Sequence, residues 1–592
     1  MTILNWLGFR RILALTTGVA WLSSACTVAA SDPATPAWDT FSDTWVATDA
    51  LGRKLPGTEE TGPPRRNKTV GIFYFLWLDT RGPILDISKL LAANPANPQY
   101  GGVGAFHWWG EPLFGYYRAD DEFVIRKHAQ VLTDAGVDVV IFDVTNGFTY
   151  DETYLAICRV YAEMRRLGQK TPQIAFIGHS GEGRVAQALY DKFYGKGQFS
   201  DLWFRWQGKP LLLAKPEALA PPLREFFTAR ESWAWTKGHK WFADGKDKWA
   251  WLDNHPQNPG WHDNPQTPEH ISVNVAQHPV SNIGRSFHNG KEPPPEQRAP
   301  EKGLCFDEQW RRALEVNPEF VFVTGWNEWI AQRFVSAKGG QTFLGRPLPP
   351  GGTFFVDQYN QEFSRDIEPM KGGHGDNYYY QLAANVRRYK GARPLPPVQR
   401  QSIQIDGSFD DWKDVQPEFR DAIGDEVRRN HKGSGDAGPY VNDTGRNDII
   451  AAKASYDAQN IYFYVRTHGP LTAPTDPNWM LLFIDADQNS TNGWLGYDFV
   501  VNHTAAQART ATLEKQQGRG YQWDSPTKIE YRAAGNELEL AIPRAALGLT
   551  RSPATLDFKW ADNIQQTGDW SDFTLNGDAA PNDRFNFRAK LP

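Results

Sequence analysis

Phe320-Val321-Phe322-Val323-Thr324-Gly325-Trp326-Asn327-Glu328-Trp329 holds, in ten residues, the pattern from which the fold is read. Its four leading residues are aromatic or β-branched, with no polar alternation, as in a strand buried on both faces. A glycine then stops the run and polar side chains follow. Working outward, the same run recurs at Val70–Leu76, Val137–Phe142, Gln173–Ile177, Pro210–Ala214, Trp249–Leu252 and Ile271–Ala276. Between the runs lie segments with apolar residues at helical spacing, such as Asp121–Ala135 and Tyr154–Leu167. Strands alternating with helices predict a parallel sheet. Seven or eight such units predict an α/β fold, a (β/α)8 TIM-type barrel, over residues 68–391.

The barrel pattern closes on a helical stretch, Asp376–Tyr389, and a stiff Pro-rich linker occupies 392–401. Beyond it the period changes to two. Ala451–Tyr456, Ile461–Val465, Met480–Ile484, Tyr497–Val501, Ile529–Arg532 and Glu537–Ile542, with turn residues between them, predict an all-β sandwich over 402–592. At the other end, Arg10 and Arg11 precede an apolar run, and Val28-Ala29-Ala30 offers a small-residue cleavage site. Residues 1–30 therefore read as a signal peptide and 31–67 as an irregular leader, so a periplasmic or secreted location is expected. A lipid anchor on Cys26 is the weaker alternative. Cys158 and Cys305 read either as a disulfide or as two buried thiols. A net charge of -6 gives no electrostatic case for nucleic acid. The 24 Trp, 21 Tyr and 34 Phe suit stacking on sugar rings, as well as large cores.

In a barrel of this type catalytic groups stand just after the strands. Three carboxylates do so: Asp143 after Val137–Phe142, Glu182 after Gln173–Ile177, and Glu328 after Phe320–Thr324. Glycoside hydrolysis needs two carboxyl groups, one to protonate the leaving oxygen and one as base or nucleophile. Glu328 pairs with Asp143 or Glu182 on this reading. The mouth would be lined by His107, Trp108, Asn146, His179, His278, Trp326, Asn327 and Trp329. Arg333 and Arg365 suit a substrate carboxylate or sulfate, or else ion pairs with Glu362, Asp366 or Glu368.

Gly325–Trp329, followed by Ile367-Glu368-Pro369 and Tyr378-Tyr379-Tyr380, resembles the end of the barrel in glycoside hydrolase family 99, the endo-α-mannosidases and their clan. His107-Trp108-Trp109-Gly110-Glu111-Pro112 resembles that clan's substrate-cleft segment, which adds Glu111 and Glu368 to the expected substrate contacts. The resemblance implies a (β/α)8 barrel and a polysaccharide or oligosaccharide substrate. It also implies a second glutamate three residues after Glu328, where this chain has Ala331. Asp143, then Glu182, then Glu111 stand as replacements for that acid.

Ile403-Gln404-Ile405-Asp406-Gly407 through Trp412, with Phe483-Ile484-Asp485-Ala486-Asp487, resembles carbohydrate-binding module family 9. Asp485, Asp487 and Asn489 offer oxygens for a structural Ca²⁺, or else form a self-satisfied Asx turn. No cofactor is expected for catalysis. Two rivals to a hydrolase remain. One is a non-catalytic glycan-binding protein, which Ala331 favours. The other is a polysaccharide lyase, which would set Arg285 or Arg333 against a uronate.

Overall fold

The computed structural model describes residues 38–507 and 509–592; the signal peptide expected at 1–30 lies outside them. Strands Thr69–Tyr74, Val139–Val144, Gln173–Gly178, Lys209–Leu213, Thr228–Arg230, His270–Val273 and Phe320–Val323 run parallel in one sheet. Phe320–Val323 and Val139–Val144 flank Thr69–Tyr74 on either side. Every residue of the first two is buried, as their unbroken apolar runs require. Helices Glu122–Asp134, Asp151–Arg166, Glu182–Lys192, Leu304–Val316 and Asn377–Lys390 follow the periodicity closely.

The sheet is a curled half-barrel of the TIM type. Among the described residues it is not hydrogen-bonded into a full ring. Between Thr228–Arg230 and His270–Val273 the predicted strand Trp249–Leu252 is present only as extended chain, bridged to Glu231 and Ala234. Asp253 and Asn274 tie it to the next strand through a side-chain hydrogen bond. Thr228–Arg230 was not foreseen, because three residues, one of them an arginine, make no apolar run.

The C-terminal region departs from the expected sandwich. Its strands form one continuous antiparallel sheet of eleven, ordered from Glu418–Arg420 through Ile449–Tyr456, Asn460–Thr467 and onward to Ala554–Asp562 and Asp578–Ala580. The sheet curls into a near-barrel. Asp578 accepts the backbone N–H of Ile449, tying its two margins together. Alternation specifies one buried face per strand; it cannot count the sheets. Residues 38–67, read as irregular, are anchored: Arg387 donates to the Ser42 and Trp45 carbonyls, and Arg393 pairs with Asp39 and Asp43.

The hairpin Arg429–Lys432/Pro439–Asn442 leaves the C-terminal sheet and docks on the half-barrel. Arg429 pairs with Asp121 at 2.7 Å, Ser434 Oγ donates to the Leu78 carbonyl, and Asp436 accepts the Ile84 N–H. Cys158 and Cys305 are separate buried thiols. No described helix is long and apolar enough to cross a membrane.

Candidate active site

The decapeptide Phe320–Trp329 ends its strand at Val323 and turns at Gly325, whose φ of 70° only glycine adopts without strain. A Cβ there would also collide with the Arg365 carbonyl. The residues after the turn then face different ways. Asn327 points back to the first strand, where its Oδ1 accepts the Phe75 N–H at 2.8 Å and its Nδ2 donates to the Phe75 carbonyl. Trp329 stacks on Trp109 (centroids 4.3 Å apart) and donates to Glu368 at 2.6 Å. Trp326 is fully buried, edge-on to His128.

Glu328 alone of the pentapeptide carries chemistry into the mouth. Its backbone N–H is held by Asp366 Oδ1 at 2.9 Å, and Arg365 Nη2 lies 3.1 and 2.9 Å from its two carboxyl oxygens. Arg365 also donates to the Gln277 and Asp357 carbonyls and lies over the Trp251 ring at 4.9 Å. Asp357 Oδ1 stands 3.7 Å from the same guanidinium nitrogen on an exposed side chain.

Asp143 ends a strand two places away in the sheet, roughly 10 Å across at the usual strand spacing. Its Oδ1 accepts both the backbone N–H (2.9 Å) and hydroxyl (2.7 Å) of Thr145. Burial pushes the Asp143 carboxyl up, with the Thr145 bonds opposing. Burial pushes Glu328 well up too, with Arg365 as the main opposing influence, and the Asp143 charge reaches it. Burial raises Asp366 to about 7. His278, near Arg365, is pushed down to about 4 by burial and that cation.

Aromatic rings continue from this cluster. His179 stacks on Trp233 at 3.5 Å, Trp233 lies 6.4 Å from Trp251, and Trp77 stacks on Tyr150 beside Asp143. Asn146 is exposed beside Tyr150. The structure therefore brings together Glu328, Asp143, Asn146, His179, His278 and Arg365 of the expected residues, and adds Asp357, Trp77, Tyr150, Trp233 and Trp251. The signal for the last two was in the sequence, as the twin Trp233-Ala234-Trp235 and Trp249-Ala250-Trp251.

Other expected contacts fall elsewhere. Glu182 opens its helix beside Lys215, Glu217 and Lys248 rather than Glu328, and burial raises its carboxyl. Glu111 is taken by Lys89 and Lys371. His107 is buried, its two ring nitrogens at the Ala105 and Tyr100 carbonyls. Trp108 is sealed against Tyr116. Arg285 is a buried brace, donating to Gln361, Ser364 and Asp366 and lying on Tyr378. Glu368 holds Tyr117, Trp329 and His128 in the interior. Glu182 is expected as a strand-end carboxylate, Glu111 and Glu368 from the family resemblance, and Arg285 as a lyase group; in the structure each of these side chains is engaged elsewhere.

Arg333 is spent on Thr353 and the Gly101 carbonyl. Arg365 pairs with Glu328 rather than with Glu362, Asp366 or Glu368. Ala331 is buried in an apolar cluster with Ile87, Phe343, Phe355 and Phe363, and pairs with His107 across an antiparallel ladder.

In the C-terminal sheet Asp485 accepts the N–H groups of Asp487 and Gln488, while the Asn489 side-chain oxygen is used by Thr491. Asp498 brings a further carboxylate oxygen within 4.8 Å of those of Asp485 and Asp487. Trp494 and Tyr497 are core residues against Phe483.

No family profile matches the sequence and no curated protein matches it. Among solved structures, two of the family 99 endo-α-mannosidase of Bacteroides thetaiotaomicron are similar at 15% identity. One covers 54% of this chain and 97% of its own, with a TM-score of 0.32; the other covers 55% and 98%, at 0.31. A glycoside hydrolase-like protein is similar at 13% identity, covering 56% of this chain and 99% of its own, with a TM-score of 0.31.

Proposed function

We propose that this chain is an exported glycoside hydrolase acting on a polysaccharide or oligosaccharide, with Asp143 and Glu328 as its paired carboxyl groups. One observation carries the reading: two buried acids, at the ends of strands two places apart in the sheet, stand in unlike electrostatic settings. Only Glu328 touches a guanidinium. Asp143 is held at one oxygen by Thr145, and Arg365 acts on it only weakly. Unlike environments of this kind separate the roles of two carboxyls. One of the two is then the proton donor to the leaving oxygen and the other the carboxylate that attacks or activates water, with the Arg365 contact favouring the ionised form at Glu328. Arg365 holds Glu328 in place, and the rings of Trp77, Tyr150, Trp233 and Trp251 offer faces for sugar C–H groups.

The test is a polysaccharide panel scored for released reducing ends, with Asp143→Asn and Glu328→Gln alongside. Turnover that falls by about 10²-fold or more in both, with binding kept, supports the pair. Tight binding by the unaltered protein with no released ends sinks the hydrolase reading. That second outcome is the glycan-binding alternative, which the apolar burial of Ala331 favours.

A further inference from the structure

We propose that Asp421, Asp425 and Asp578 form a site for one divalent cation of calcium type, buried where the C-terminal sheet meets the half-barrel. Each of the three contributes a carboxyl oxygen, all mutually within 4.8 Å. Two oxygens that share a Ca²⁺ at about 2.4 Å each can stand no farther apart than about 4.8 Å, so the trio spans one coordination sphere. The three side chains are 1%, 6% and 4% exposed.

An acidic cluster alone would prove little, but this one has atoms left over. Asp425 Oδ1 is buried with no hydrogen-bond partner, and so is Oδ1 of Asp448, a fourth carboxylate whose charge bears on Asp578 and Asp425. Partners exist for the other oxygens: Asn582 donates to Asp421 and Asp425, Gln130 to Asp425, and the Ile449 N–H to Asp578. None of these is a cation. Among the described residues no Lys, Arg or His lies within 4.0 Å of the three carboxylates, although His468 stands 3.3 Å from Asp448. Lys559 donates to the Pro581 carbonyl, and lysine charge reaches the cluster only from beyond 4.0 Å: Lys559 acts on Asp421 and Asp578, and Lys127 on Asp578. Buried like charges with no counter-ion in contact are strongly unfavourable, whereas hard oxygen donors at this spacing suit Ca²⁺.

The position gives the ion a task. Gln130 comes from helix Glu122–Asp134 of the half-barrel, while Asp421 and Asp425 precede the hairpin whose Arg429 grips Asp121. The cation would fasten the base of that hairpin to the wall of the half-barrel.

The experiment uses the full chain and CaCl₂ as the only added probe. Metal analysis of the purified protein, and thermal midpoints with EDTA and with CaCl₂, are compared for the unaltered chain, D421N/D425N and D485N/D487N. We expect EDTA to lower the midpoint by several degrees and CaCl₂ to restore it, with the same response in D485N/D487N. D421N/D425N should lose one equivalent of calcium and the response with it. The sign of its midpoint shift is decisive: removing like charges from an empty cluster stabilises, while removing ligands from a filled one destabilises. A higher midpoint for D421N/D425N overturns the proposal. So does a midpoint indifferent to EDTA and CaCl₂, or a response lost only in D485N/D487N. If D421N/D425N does not fold, the response of the unaltered chain and of D485N/D487N decides.

Discussion

Replacing Arg365 with methionine removes a guanidinium that is 2% exposed from a glutamate side chain that is 8% exposed. Met fills similar space, so the loss is electrostatic. Glu328 would be left buried with Asp366, Asp357 and Asp143 acting on it and no cation in contact. Breaking a buried pair from one side costs about 3–5 kcal/mol. Spread over the one compact unit that the described residues form, with unfolding entropy near 2.1 cal/mol/K per residue, about 4 kcal/mol lowers the thermal midpoint by roughly 3 °C. The cost depends on pH with a definite sign. Burial raises the folded-state pKa of Glu328 above its unfolded value. The folded protein therefore binds the proton more tightly, and stability falls as pH rises between the two values. Without Arg365 to oppose it, the deficit is larger at pH 7 than at pH 5 and vanishes below the unfolded pKa. Glu328→Gln added to R365M should recover most of the loss, because a neutral amide needs no counter-ion. Differential scanning calorimetry of the two single variants and the double variant, at pH 7 and pH 5, checks this. A deficit that is the same at both pH values, and is untouched by E328Q, refutes the argument that Arg365 serves to hold Glu328.

Ala331→Glu should create no working acid: it buries a carboxyl among Phe343, Phe355 and Phe363, lowers the thermal midpoint by several degrees and adds no released reducing ends. Trp233→Ala removes the ring under His179 and should raise KM about 3- to 10-fold with kcat nearly kept, as steady-state kinetics on the substrate found by the panel will read. Cys158 and Cys305 are buried and their thiols are pushed up by burial, so both should resist alkylation in the native protein and react in denaturant, as peptide mass mapping reports.

How much of this was legible beforehand varied with the physics involved. Runs such as Phe320–Val323 and Val139–Val144 are buried on both faces, so apolar character alone located them. Helices Glu122–Asp134 and Asn377–Lys390 showed their apolar spacing equally openly. The short strand Thr228–Arg230 and the open edge beside Trp249–Leu252 left no such trace, because there the chain is held by isolated backbone and side-chain bonds. Asp357 and Trp77 reach the mouth from loops, and sequence distance says nothing of that.

The sequence by itself determined the two regions, their strand and helix pattern, and the acids Asp143 and Glu328 at strand ends. Tertiary structure decided the rest. It turned Asn327, Trp329 and Glu368 inward to hold the strand ends together, and it gave Glu328 the guanidinium of Arg365. It also joined the expected two C-terminal sheets into one and set Asp578 beside Asp421 and Asp425, which lie more than 150 residues earlier in the chain. Periodicity reports which face of a strand is buried. Only the packed chain shows which charges that burial places side by side, and with what counter-ion.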